Sequence, residues 1–435
     1  MHKGRVGRMA KKWWSYGISL GVIAASAAVI MWTNHEASGE RGGKSQQEAT
    51  AAASVTSREG LQDTIHAMER RLREQPADAT AAVSLADALL RQARVSGTAG
   101  PALRAEKALK QVLHDDPRTY DARRMLGAVY LSQHRFREAI REAERASAER
   151  PTDDWNYGVT GDGHLELGEY EQAFAAFQKM MDLRPTAGAY ARAAYALELR
   201  GRLHAALEAM KLSTDATPPG DRESIAWHHA QLGDLYRQLG KPEEAALEYA
   251  WANHSFPDHP FAERGLAELL DAQGDRPGAI AKLEALMKRS PAPDLEAKLG
   301  DLYSADGRDA DASRAYALAE AGWRFDAPHP SQLARFLADH DRKLGEAVAL
   351  AERTQAERHD IFTEDALAWC YFKNGRIHEA ELAITRAQRT GTRDRTILAH
   401  AAAIRQASWR GRDPERVERR QRVGALHVAG DRDAD

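Results

Sequence analysis

The chain has 435 residues, 43% hydrophobic and 29% charged, too apolar for a disordered polymer and too charged to lie mostly within a membrane. Its 61 Lys and Arg against 64 Asp and Glu leave a net charge of −3, without the broad positive field that a nucleic-acid backbone requires, so nucleic acid is not an expected partner. A lone cysteine, Cys370, excludes an intrachain disulfide, a CxxC redox pair and a thiolate zinc cluster.

The basic segment 1–12 carries Lys3, Arg5, Arg8, Lys11 and Lys12 without an acid, and residues 13–32 carry no charge at all. Twenty residues at helical rise span about 30 Å, the hydrocarbon thickness of a bilayer. This predicts a transmembrane anchor at 13–32, edged by Trp13, Trp14, Tyr16 and Trp32. The basic flank places the N-terminus in the cytoplasm and the rest of the chain outside a cytoplasmic membrane, in a periplasmic or extracellular space. A cleaved signal peptide, cut after the small residues at 25–27 or 37–39, is the alternative and would yield a secreted protein; the long apolar run favours the uncleaved anchor. Gly17 and Gly21 form a small-residue stripe on which two anchors could meet as a weak homodimer. Residues 33–57 are polar and rich in Gly, Ser, Ala and Gln, and read as a flexible tether.

Residues 58–76 predict a lone helix that caps a repeating array at its start. From residue 79 the sequence repeats every 33–34 positions. A small residue is followed 12 positions later by alanine in Gly127/Ala139, Gly161/Ala173, Ala194/Ala206, Gly233/Ala245, Ala267/Ala279, Gly300/Ala312 and Ala368/Ala380. In six of these seven units a glycine stands seven residues after the small position, as Gly168, Gly201, Gly240, Gly274, Gly307 and Gly375. Prolines 151, 185, 218, 257 and 291 close the units. The pattern describes a helical hairpin: small residues at the closest helix crossing, a left-handed glycine ending the first helix, and a proline stopping the second. The units fall at 79–119, 120–153, 154–186, 187–225, 226–259, 260–292, 293–326, 327–360 and 361–393, followed by a closing helix at 394–410. Three irregularities stand out. Ala86 and Ala105 lie 19 apart, so 94–101 adds seven residues to an inter-helix turn; 217–224 adds residues between two units; and Ala334 and Ala347 are one residue too far apart.

Leu232-Gly233-x-x-Tyr236, Ala245-x-x-x-Tyr249 and Pro257 together resemble the tetratricopeptide repeat family, and Leu126-Gly127-x-x-Tyr130 and Leu299-Gly300-x-x-Tyr303 repeat the first half of that pattern. The resemblance implies an all-α solenoid of about nine hairpins over 58–412, wound as a right-handed superhelix behind the anchor in the manner of a membrane-anchored bacterial member, with a charged tail at 413–435. In that family, ligand-contacting groups project from the first helix of each unit into a concave groove. Transferred here, those positions are Trp155, Asp162, Tyr195, Trp227, Asp234, Arg237, Phe261, Arg264, Glu268, Asp301 and Trp369. The paired asparagines with which some members grip a C-terminal carboxylate are missing from these positions. The row Asp162, Asp234, Glu268 and Asp301 instead predicts an acidic groove with aromatic patches, suited to basic-hydrophobic protein or peptide segments.

Catalytic signatures do not appear. HExxH, GxSxG and Walker sequences are missing, and the 17 histidines, including His228, His229, His254 and His259, read as packing or surface residues. Cys370, between Trp369 and Tyr371 on a helix, reads as a small buried hydrophobe. The expectation is a chain without cofactor, metal or enzymatic activity, working as a scaffold or adaptor outside the cytoplasm; an auxiliary subunit of an envelope enzyme complex is the alternative.

Overall fold

The computed structural model describes residues 57–98, 100–325 and 330–412. Among these there are twenty α-helices and no strand. A first helix, α1 (Arg58–Glu74), is followed by the pairs α2 (Ala79–Ser96) and α3 (Gly100–Asp115), α4 (Tyr120–Ser132) and α5 (Phe136–Glu149), and α6 (Asp154–Glu166) and α7 (Tyr170–Leu183). Next come α8 (Ala187–Glu198) and α9 (Leu203–Ala216), α10 (Arg222–Gln238) and α11 (Pro242–Ser255), α12 (Pro260–Ala272) and α13 (Arg276–Met287), and α14 (Pro293–Ala305) and α15 (Asp309–Phe325). Beyond these lie α16 (Pro330–Asp339) and α17 (Leu344–Glu357), α18 (Ile361–Lys373) and α19 (Ile377–Ala387), and a last helix α20 (Arg395–Arg412). Helices α1–α15 make up one compact unit and α16–α20 a second.

The hairpins arise from the repeating residues. Each of Gly168, Gly201, Gly240, Gly274, Gly307 and Gly375 has a positive φ, between 65° and 91°, and so reverses the chain between two helices. In the unit without that glycine, His134 takes the left-handed turn position at φ 58°. Alanines 139, 173, 206, 245, 279 and 380 are fully buried at the helix crossings. Three of the small residues facing them lie under an aromatic ring. A Cβ built on Gly161, Gly233 or Gly300 would stand 2.3–2.4 Å from a ring carbon of Phe177, Tyr249 or Tyr316, a separation no real side chain tolerates. Within the first unit, neighbouring first helices pack on one another, α2 on α4, α4 on α6, and α10 on α12, more closely than any two second helices do. The first helices therefore lie on the inner side of the stack.

Two irregularities resolve differently from expectation. The seven extra residues at 94–101 do not lengthen a turn: α2 simply continues to Ser96, about one and a half turns beyond the usual first helix, and Gly97 ends it at φ 69°. The insertion at 217–224 likewise becomes an added first turn of α10, N-capped by Asp221, whose carboxylate accepts from the Ser224 amide. The extra residue between Ala334 and Ala347 is absorbed by two left-handed residues, Asp341 and Lys343.

The expected membrane placement is corrected. No helix among the described residues is long and apolar enough to cross a membrane. The expected span at 13–32 with Gly17 and Gly21, the basic segment 1–12, the tether up to residue 56 and the tail 413–435 lie outside the described residues.

Candidate partner-binding surface

The expected groove residues divide into an interior set and a surface set. Asp162 on α6 is 1% exposed and is gripped by Arg192 of α8, whose Nε and Nη2 donate to the carboxylate at 2.6–3.1 Å. That guanidinium lies between Gly158 and Gly188, where a Cβ would come within 3.2 Å of it. Burial pushes the Asp162 carboxyl up to about 6 against the pull of Arg192. Tyr195 and Trp227 are buried too, Trp227 edge-on to His228 with ring centres 5.2 Å apart. These three residues pack the stack and present nothing to a ligand.

A second set is half-exposed. Asp234 of α10 accepts from the Tyr249 hydroxyl at 2.7 Å and pairs with Arg237 at 3.3 Å, and Arg237 reaches Glu268 of α12 at 3.2 Å. Arg264 lies 5.3 Å from the centre of the Phe261 ring. Burial would lower its guanidinium, but Asp234, Glu268 and Asp294 outweigh burial and raise it. Asp234, Arg237 and Glu268 thus form one chain of ion pairs, and Arg264, within the electrostatic reach of both acids, covers Phe261. Trp155, on α6, is half-buried beneath the guanidinium of Arg124, which is 4.4 Å from its ring centre and bonded to Asp153. Asp301 is exposed and accepts from the Tyr316 hydroxyl. Trp369 belongs to the second unit, where it stacks at 3.9 Å on His400, itself bonded to the buried Asp365. The acid row is consequently compensated at Asp162, Asp234 and Glu268, and the expected strongly negative groove does not form there.

Sequence reasoning missed a charged contact between the two insertions. Arg91, on the lengthened α2, donates from Nη1 and Nη2 to Asp221 at 2.6 and 3.3 Å and from Nε to Asp87 at 2.9 Å. Arg94 donates from Nε to Glu223 at 2.7 Å and also pairs with it through Nη2. Glu223 is completely buried. Burial alone would raise its carboxyl; the charges of Arg94 and Arg91 instead hold it far below the ordinary carboxylate range. His259, equally buried, stands 3.8 Å from Glu223, beyond hydrogen-bonding length, and burial lowers its imidazole. Arg58 extends the contact by donating to the carbonyls of Val95 and Asp258. Beside it, His228 bridges Ser213 and Thr217 at 3.0 Å each, and burial pushes it down to about 3. This clasp ties α1 and α2 to α10 and the turn after α11, across 130 residues of sequence.

Chemistry is otherwise sparse. Among the described residues, no group of three or more His, Cys, Asp or Glu could hold a metal ion. Cys370 is fully buried and its thiol is pushed up to about 12 by burial.

Two models of the tetratricopeptide repeat match the chain, at residues 99–157 and 231–292, so the chain carries tetratricopeptide repeats. Among curated protein sequences, none matches significantly. Among solved structures, the chain is similar to one from the APC/C hetero-tetramer Cut9-Hcn1, at 15% identity and TM-score 0.50, over 80% of this chain and 60% of that one. It is similar also to the human IFIT1 dimer with m7Gppp-AAAA, at 16% identity and TM-score 0.50, over 76% of each chain. The chain thus spans 60% of the length of the Cut9-Hcn1 chain. At these identities the likeness is one of fold: an all-helical, tetratricopeptide-like stack.

Proposed function

We propose that this tetratricopeptide-repeat chain is a non-catalytic scaffold that holds protein segments on the inner face of its first unit, around Asp234, Arg237, Phe261, Arg264 and Glu268. One observation carries the reading: these side chains come from adjacent first helices, are only half-buried, and are held in place before any partner arrives, Asp234, Arg237 and Glu268 by their ion pairs and Phe261 by the overlying Arg264. Preorganised polar groups beside an aromatic ring bind a segment with little ordering cost. Two acids against two arginines make the face close to neutral. It therefore favours segments bearing both charge signs around an apolar residue over purely basic-hydrophobic ones. The m7Gppp-AAAA ligand is that of the IFIT1 structure; a net charge of −3 favours a protein partner here.

The test is recovery of partners from crosslinked cells with tagged full-length chain, compared with the double variant Arg237→Ala, Phe261→Ala. Loss of a recovered protein from a variant with unchanged circular dichroism supports the proposal. Unchanged recovery, or substrate turnover by the purified chain, overturns it.

A further inference from the structure

In four hairpins, a basic residue directly after the left-handed turn residue folds back over a tyrosine five positions earlier. Arg135 lies over Tyr130, Lys241 over Tyr236, Arg308 over Tyr303 and Arg376 over Tyr371, at 4.1–6.0 Å from the ring centres. In all four, an acid three residues on takes up the charge: Glu138, Glu244, Asp311 and Glu379, at 2.8–3.1 Å. The device is self-neutralising and leaves nothing for a partner.

The hairpin α8–α9 is built differently. Arg202 occupies the basic position, but leucine replaces the tyrosine at 197 and alanine the acid at 205. A second arginine, Arg200, stands at the start of the same turn, its guanidinium 4.2 Å from the centre of the Phe174 ring on α7. Phe174 is backed by Tyr170 and Phe177, with ring centres 6.4 and 6.3 Å away. Arg200 makes no ion pair with any described residue, and its buried Nε has no hydrogen-bond partner. The carboxylate nearest in sequence, Glu198, accepts from Gln238 instead. Burial, and then the charge of Arg202, pull the Arg200 guanidinium down to about 10, the opposite of the paired Arg135, Arg308 and Arg376. A partly desolvated cation without a counterion is a cost that the folded chain carries unless a bound group relieves it.

We propose that Arg200, seated on Phe174 with Arg202 beside it, is a docking point for a side-chain carboxylate on an acidic segment of a partner protein. The guanidinium fork suits a carboxylate and the flat stack on Phe174 fixes its plane. Nucleic acid fits less well: the unpaired cation is a single guanidinium on a chain of net charge −3, which offers a phosphate backbone no extended positive track. The surface lies at the turn edge of the stack and stands independently of the inner face proposed above.

The test uses full-length chain and a fluorescently labelled hexaglutamate peptide, read by anisotropy, with hexalysine and a hexanucleotide single strand as comparison probes. Hexaglutamate binding is expected to weaken with salt and to fall about tenfold or more in Arg200→Gln, which removes one charge-assisted pair. Arg200→Met keeps the packing on Phe174 and guards against a folding artefact; it too is expected to lose binding. Without peptide, both variants are expected to melt no lower than the parent, because they remove an uncompensated charge. Three results overturn the proposal: no hexaglutamate binding, binding unchanged in both variants, or an oligonucleotide that binds more tightly than the peptide and depends on Arg200.

Discussion

Replacing Glu223 with glutamine keeps the side chain's shape and removes the charge that the clasp is built around. Glu223 is 0% and Arg94 5% exposed in their side chains, so neither can turn to water when the other changes. Removing one partner of a buried ion pair costs about 3–5 kcal/mol. Arg91 keeps Asp221 and Asp87, so the loss falls on Arg94, whose Nε and Nη2 give up a charged acceptor while the glutamine oxygen can still accept one of their hydrogen bonds. The expected loss is therefore at the lower end, about 3 kcal/mol, a large share of the 5–15 kcal/mol that domains typically possess. The double change Arg94→Met, Glu223→Leu leaves no charge unpaired and is expected to recover most of the loss. Urea unfolding of the full chain reads the global effect, and amide hydrogen exchange in α1 and α2 reads the local one. If Glu223→Gln leaves both unchanged, or the double variant is no better than the single, the buried clasp does not hold α1 and α2 in place.

Acid should loosen the same region. The unfolded chain protonates His228 and His259 near 6.5, whereas the folded chain resists, His228 down to about 3, so the unfolded state binds more protons and stability falls as pH drops below about 6.5. Glu223, held far below its ordinary 4.5, adds to the loss at lower pH, while Asp162, raised from 3.8 to about 6, opposes it within that interval alone. A melting temperature that rises steadily from pH 7 to pH 5 would contradict this balance. In the core, Gly233→Ala drives a methyl toward the Tyr249 ring and is expected to cost about 1–3 kcal/mol; a variant that melts within error of the parent would mean that the ring moves aside freely.

What was legible in the sequence was whatever repeats locally. Gly233 could be read because its partner ring, Tyr249, recurs at the same distance as Phe177 after Gly161 and Tyr316 after Gly300. The left-handed glycines could be read because only a positive φ reverses the chain there. The clasp could not, because it joins two insertions, and an insertion has by definition no counterpart in the neighbouring units. The acid row was misjudged for a different reason. Asp162 meets Arg192 thirty residues on, and Arg237 meets Glu268 at a similar step, slightly less than one repeat. That offset between adjacent first helices was available as a signal: opposite charges about one unit apart compensate one another. Trp227 and Trp155 show the remaining gap, since position within the repeat does not distinguish a buried indole from one half-covered by an arginine.

Stacked hairpins that touch only their neighbours fold and fray almost one at a time, beginning at the free end. The clasp changes that order for α1 and α2. Their polar contacts to Asp221, Glu223 and Asp258 can form only after the chain between has wound into register, so closing it is a late, non-local event like those that slow the folding of sheet proteins. Once closed, it gives α1 and α2 a buried attachment beyond their stacking on neighbouring helices. A repeat protein whose end ought to be its weakest point is thereby fastened at that end by the two places where its repetition fails.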